Sequence, residues 1–179
     1  MIKVLKFGGT SVGSAANMKK VAEIVRREQA RITVLSAMSG TTDSLVRISR
    51  AAASGDRNAI EEQLTMLTDK YTRCIEELLR ERKQQALARM NATFGLIRDE
   101  AAAFEEYESE RKIIAQGELL TSAIFTAYLQ ETGLKAECLY SPDFMVKDPG
   151  EKVDTERIEK ELDQRKIVVV AGFQGMNRY

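Results

Sequence analysis

Lys6, Gly8, Gly9, Thr10 and Ser11 crowd the chain's first turn signal, and their types suit the handling of a phosphoryl group. Glycine puts no Cβ between its amide and a ligand, so the N–H groups of Gly8 and Gly9 can approach phosphate oxygens closely. The N-terminus of a following helix adds partial positive charge. An ammonium two residues upstream, at Lys6, is placed to neutralise charge on a phosphoryl group in flight. Gly8 and Gly13 have the spacing of the outer glycines of a P-loop, but Ser14-Ala15 stand where that motif needs Lys-Ser/Thr, so this is not a Walker A loop. A tight strand-to-helix turn with a snorkelling Lys6 fits the same spacing.

Two further glycine-bearing loops follow short apolar runs. In Ser36-Ala37-Met38-Ser39-Gly40, the hydroxyls of Ser36 and Ser39, with Thr42 just beyond, can serve a carboxylate or a phosphate. N-capping of a helix is the competing role for Thr42. The third loop is Gly172-Phe173-Gln174-Gly175. Glu118 is a separate signal, a carboxylate inside the otherwise apolar stretch from Ile113 to Phe125. It is either a surface residue or one aimed into a site, where it would bind a substrate ammonium.

Composition removes other chemistries. The 179 residues contain no His, which excludes a Ser-His-Asp triad, a Cys-His dyad and His-ligated zinc or haem. Acid, base and electrostatic roles fall to Lys, Arg, Asp, Glu, Tyr and backbone amides. Lys plus Arg and Asp plus Glu each number 27, so no global basic field points to nucleic acid or an anionic membrane. Cys74 and Cys138 have no metal-ligand spacing, and free thiols in a reducing cytosol are expected. The longest apolar run, Ile167 to Phe173, is far shorter than a membrane span, and Lys3 and Lys6 interrupt the apolar N-terminus. A cytoplasmic protein of one domain, or part of one, is the expectation.

The elements that must position these residues alternate at both ends of the chain. Residues 2–7 and 31–36 read as buried strands. Between them, Met18, Val21, Ala22 and Val25 mark a helix that Ser14 can cap. After the second strand, Thr42 or Asp43 can cap a helix through Leu45 and Ile48, closed by Gly55. From Asp56 to about Glu131 the periodicity is helical throughout. One face carries Ile60, Leu64, Leu67, Tyr71, Cys74 and Leu78, a second Leu87, Met90, Phe94 and Ile97, and a third helix runs to near Gly133. Lys135–Tyr140 is a predicted strand, Ser141-Pro142-Asp143 and Asp148-Pro149-Gly150 are turns, and Thr155–Arg165 is a helix with Ile158 and Leu162 inward. Ile167–Ala171 is the most hydrophobic strand. The α/β alternation predicts a parallel sheet, whose ligand sites lie beyond the C-terminal strand ends.

Taken together, KFGGTSV at 6–12, VLSAMSGTTDSL at 34–45, GELLTS at 117–122 and AGFQG at 171–175 resemble the aspartokinases of the amino acid kinase family. The strings stand in family order over essentially the whole chain. KFGGTSV is the most specific, since the related N-acetylglutamate, glutamate and uridylate kinases carry differently worded glycine loops. The resemblance implies a three-layer α/β/α sandwich around a mainly parallel sheet, with a helical insertion in the middle third. It implies transfer of the γ-phosphoryl group of ATP, carried with Mg²⁺, to the β-carboxylate of L-aspartate. Lys6, Phe7, Gly8 and Gly9 match the phosphate-binding strand end and turn, with Lys6 catalytic. Ser36, Ser39, Thr42, Glu118 and Phe173 match the aspartate site, Glu118 at the substrate's amino group. No metal ligand is implied within these residues, and a homo-oligomer is expected.

The family's following GRGGSD-type segment, which supplies an arginine and a catalytic aspartate, is not in residues 1–179. The chain is therefore expected to be the amino-acid-binding portion of a longer kinase, with the nucleotide-binding half and ACT domains outside it. Strand 167–171 would then be left with an unpaired, apolar edge prone to self-association. The alternatives are a non-catalytic aspartate-binding module and a kinase for another carboxylate on the same fold.

Overall fold

The computed structural model describes residues 2–140, 145–146, 152–153 and 155–172. In chain order the elements are β1 (Val4–Phe7), α1 (Ala15–Arg27), β2 (Ile32–Leu35), α2 (Thr41–Ser54), α3 (Arg57–Leu78) and α4 (Lys83–Ala102). They continue as α5 (Glu106–Glu131), β3 (Ala136–Leu139), β4 (Met145–Val146), β5 (Lys152–Val153), α6 (Glu156–Asp163) and β6 (Ile167–Ala171). The predicted turns at 141–143 and 148–150, and the loop from Phe173 onward, lie outside the described residues. The small antiparallel pair β4–β5 had no counterpart in the sequence reading.

β1, β2, β6 and β3 form one sheet in that order, and every pairing is parallel. Side chains alternate across such a sheet, and the apolar residues of β6 serve both faces accordingly. Val169 joins Leu35, Ala136 and the apolar stripes of α1 to α5 in the larger core. Val168 and Val170 join Leu139 and Leu162, with Ile32, Val34 and Ile158 packed beside them, on the opposite face. Helices therefore cover the sheet from both sides, and the fold is a three-layer α/β/α arrangement. Arg31 ties its second helical layer to the sheet, donating to the carbonyls of Lys166 (3.4 Å) and Leu162.

The middle third is helical apart from the short connections at 79–82 and 103–105, as its periodicity predicts. Tyr71, Ile75, Met90, Ile97 and Ile113 are all essentially inaccessible to solvent and draw α3, α4 and α5 into the larger core. Glu131, at the end of α5, accepts backbone N–H bonds from Arg80 (3.0 Å) and Arg82 (2.6 Å), fixing the α3–α4 turn. None of the described helices is long and apolar enough to cross a membrane.

Two expectations are corrected. Helix α2 is not capped by Thr42 or Asp43, because it starts one residue earlier and its N-cap is Gly40 at φ 76°. The loop reaches the helix through a left-handed turn that glycine adopts without Cβ strain. Strand β6 has no unpaired edge, since β2 and β3 flank it, and the sheet's edges are β1 and β3. The self-association expected of an open β6 edge loses its basis.

Candidate active site

The C-terminal ends of β1, β2 and β6 lie side by side, so that the turn after β1, the 36–40 loop and Gly172 meet at one end of the sheet. Ser36 N–H donates to the Phe7 carbonyl at 3.1 Å, and Gly172 N–H donates to the Leu35 carbonyl at 2.6 Å. The turn after β1 is built from its own backbone, with Ser11 N–H on the Gly8 carbonyl (3.0 Å) and Gly13 N–H on that of Thr10 (3.3 Å). Ser14 then caps α1 by accepting Asn17 N–H at 3.2 Å, which points the helix N-terminus toward the turn.

This turn and the 36–40 loop interlock. Ser39 N–H donates to the Gly9 carbonyl at 3.1 Å, and a Cβ on Gly9 would stand 2.7 Å from the Ala37 carbonyl. Gly9 is therefore glycine because the second loop's backbone occupies the side-chain space. Gly8 differs, as a Cβ there would meet nothing within 4 Å. Its exposed backbone faces open space, which suits an approaching phosphate. Lys6, the penultimate residue of β1, is exposed beside it.

Glu118 enters from α5. The preceding Gly117 lets that helix approach the 36–41 segment, for its Cβ position lies 3.0–3.1 Å from side-chain atoms of Leu45, Thr41 and Ala37. Glu118 is half-buried, and its Oε2 is buried without a hydrogen-bond partner. Burial pushes its carboxyl up to about 7, against the pull of the Lys6 charge and the Ala37 backbone N–H. Such an oxygen is an acceptor left open, and a cationic donor would satisfy both its charge and its lone pairs.

Lys6, Gly8, Gly9, Ser36, Ser39 and Glu118 thus share the loop end of the sheet. Phe7 is half-buried against the larger core, so its backbone rather than its ring faces these loops. Thr42 is exposed on the first turn of α2, while its neighbour Thr41 turns inward and is buried. Phe173 falls outside the described residues. Among the described residues, no three His, Cys, Asp or Glu side chains converge to hold a metal ion.

The residues that sequence reasoning missed lie behind the loops. The Tyr71 hydroxyl is 3.1 Å from Thr121 Oγ1 and 3.3 Å from Thr41 Oγ1. Thr121 accepts Met38 N–H at 3.2 Å, and Lys70 Nζ donates to Thr41 Oγ1 at 3.0 Å and to the Ser39 carbonyl. Tyr71 sits at core spacing on its helix and reads as a packing residue. The hydroxyl of Thr121, inside an apolar stretch, was the available signal.

The amino acid kinase family model matches residues 1–179. Aspartokinase 1 of Arabidopsis thaliana is 32% identical over 142 residues, and the aspartokinase of Chlamydia muridarum is 30% identical over 147. These matches take in 74% and 81% of this chain but only 24% and 31% of the relatives. The chain thus spans less than a third of the length of these curated relatives. In fold it is similar to E. coli aspartokinase III. The form crystallised with lysine and aspartate superposes at a TM-score of 0.83 and 23% identity, over 96% of this chain and 41% of that one. The form with aspartate and ADP gives 0.80 over 97% of this chain. The family match over the whole chain and the parallel-sheet fold agree, and the chain belongs to the amino acid kinase family.

Proposed function

We propose that this chain is the N-terminal, amino-acid-binding portion of an aspartate kinase, which makes 4-phospho-L-aspartate for lysine, threonine and methionine biosynthesis. The observation that carries the reading is Glu118, a half-buried carboxylate with an open buried oxygen, held across from Lys6 at the loop end of the sheet. An amino-acid acceptor presents two opposite needs to such a site. Its α-ammonium needs an anion, which Glu118 supplies, and its reacting carboxylate needs a cation near the transferred phosphoryl group, which Lys6 supplies.

The chemistry then requires little from side chains. A β-carboxylate oxygen attacks the γ-phosphorus, the bond from that phosphorus to the β,γ-bridging oxygen breaks, and ADP leaves with the electron pair. The acceptor is already an anion, so no base has to remove a proton, which fits a chain without His. Gly8 and Gly9 offer amides to the phosphate oxygens, and Lys6 offsets the charge that grows as the phosphoryl group moves. Ser36, Ser39, Thr42 and Phe173 are assigned to the aspartate side. Magnesium, carried on the nucleotide's phosphates, supplies further charge neutralisation when bound.

The test is an acceptor panel on the protein carrying this chain, with the acyl phosphate trapped as hydroxamate. Aspartate is expected to react, and N-acetylglutamate, which lacks a free ammonium, is not. Equal use of the two would overturn the role given to Glu118, and no reaction with aspartate would overturn the kinase reading.

A further inference from the structure

The helical insertion buries the hydroxyl of Tyr71 in the middle of its apolar packing. Tyr71 is wholly buried, and its ring meets Phe94 of α4 edge-on, centroids 5.9 Å apart at 74°. Its hydroxyl lies where α3, the start of α2 and α5 converge, within 3.1–3.4 Å of Thr121 Oγ1, Thr41 Oγ1 and the Gly117 carbonyl. Counting donors assigns the direction of each bond. Thr121 Oγ1 donates to the Gly117 carbonyl at 2.8 Å and receives Met38 N–H, so its remaining lone pair takes the Tyr71 proton, which it shares with the Gly117 carbonyl at 3.4 Å. The Tyr71 oxygen is then free to accept from Thr41, which itself accepts from Lys70. The result is one chain of donors running Lys70, Thr41, Tyr71, Thr121, Gly117.

Both ends of that chain touch the proposed aspartate site. At one end Lys70 also holds the Ser39 carbonyl, and Thr121 holds Met38 N–H, so the 38–41 backbone is gripped from two sides. At the other end stands Gly117, the residue before Glu118. Gly117 is also a point where α5 packs tightly against Ala37 and Thr41. Fixing these hydroxyls fixes the spacing between the loop and the carboxylate.

We propose that Tyr71 is a positioning residue of this site, its hydroxyl locking the 36–41 loop to the turn of α5 that bears Glu118. The proposal rests on the aspartate kinase reading for its kinetic consequence and on geometry alone for its structural one. It gives the α3 insertion a role in the site, since the hydroxyl reaches both walls from behind without touching substrate.

The experiment uses Tyr71→Phe in the protein carrying this chain, which keeps the ring and removes the hydroxyl. Amide hydrogen exchange is expected to rise in residues 36–41 and 117–121 more than in α1 or β6, and KM for aspartate to rise about tenfold with a smaller change in kcat. Thr121→Val removes the same link and should produce the same pattern, whereas Thr121→Ser, which keeps the hydroxyl, should restore it. A variant that loses only thermal stability, with loop exchange and KM unchanged, would overturn the proposal. If the unmodified protein does not phosphorylate aspartate, the functional reading fails, and the exchange data alone then decide for or against the role of Tyr71.

Discussion

Glu118 concentrates the chemistry of the site because its surroundings set two opposing demands. Burial holds its carboxyl near 7, while the Lys6 charge and the Ala37 N–H favour the ionised form. A substrate ammonium would tip this balance and lower the carboxyl's pKa in the complex. Aspartate affinity should therefore be complete above about pH 7 and weaken as pH falls below it, approaching tenfold per unit. The stability of the unliganded protein runs the other way. The folded state holds the Glu118 proton more tightly than the unfolded chain, whose ordinary value is 4.5, so this group's contribution declines as pH rises from 4.5 through 7. The check is calorimetric titration of aspartate at pH 6 and pH 8 in buffers of different ionisation enthalpy. Proton release near pH 7 is expected, to which no imidazole of residues 1–179 contributes. The residues of this balance were legible in the sequence only by type. Glu118 stood out as a charge within an apolar run, whereas its open oxygen depends on how closely α5 docks.

At the scale of elements, two glycines set that docking. Gly9 yields to the Ala37 carbonyl, and Gly117 admits Leu45, Thr41 and Ala37 around it. Gly117→Ala would press a methyl against three buried neighbours at once, so relief in one direction tightens another. Denaturant unfolding should show a loss of roughly 1–3 kcal/mol. The same substitution should raise KM for aspartate, because two of the three neighbours belong to the substrate loop. Helix faces and strand positions were readable, since a 3.6-residue stripe or an apolar run is a local property. Ser14 as the cap of α1 and Ile167–Ala171 as a strand were both visible in this way. The start of α2 was not, because a left-handed Gly40 looks like any loop glycine until the loop's path is known. Tyr71 was legible as a core residue, but the partners of its hydroxyl were not, for a related reason. Its neighbours Thr41 and Thr121 lie 30 and 50 residues away, and no local pattern announces them.

The whole molecule explains why such distant residues meet. A parallel sheet collects its loops at one end, and the order β1-β2-β6-β3 brings the ends of β1, β2 and β6 side by side. A strand formed near residue 170 thereby ends beside one formed near residue 35. The sequence pointed to a parallel sheet, but not to the lateral order, which rests on pairings between strands far apart in the chain. That order pairs both sides of β6, whose edge was expected to stay open for want of the family's following segment. It also places Lys6 of β1 and Glu118 of α5 at the same end of the sheet, where we propose that they serve as a cation for the phosphoryl group and an anion for the acceptor's ammonium. Steady-state acyl phosphate formation by Lys6→Ala and Glu118→Gln separates the two roles in one measurement. The account predicts that Lys6→Ala lowers kcat by orders of magnitude with little change in KM for aspartate. It predicts that Glu118→Gln raises that KM roughly 10- to 100-fold. An unchanged kcat in the first variant, or an unchanged KM in the second, would contradict it.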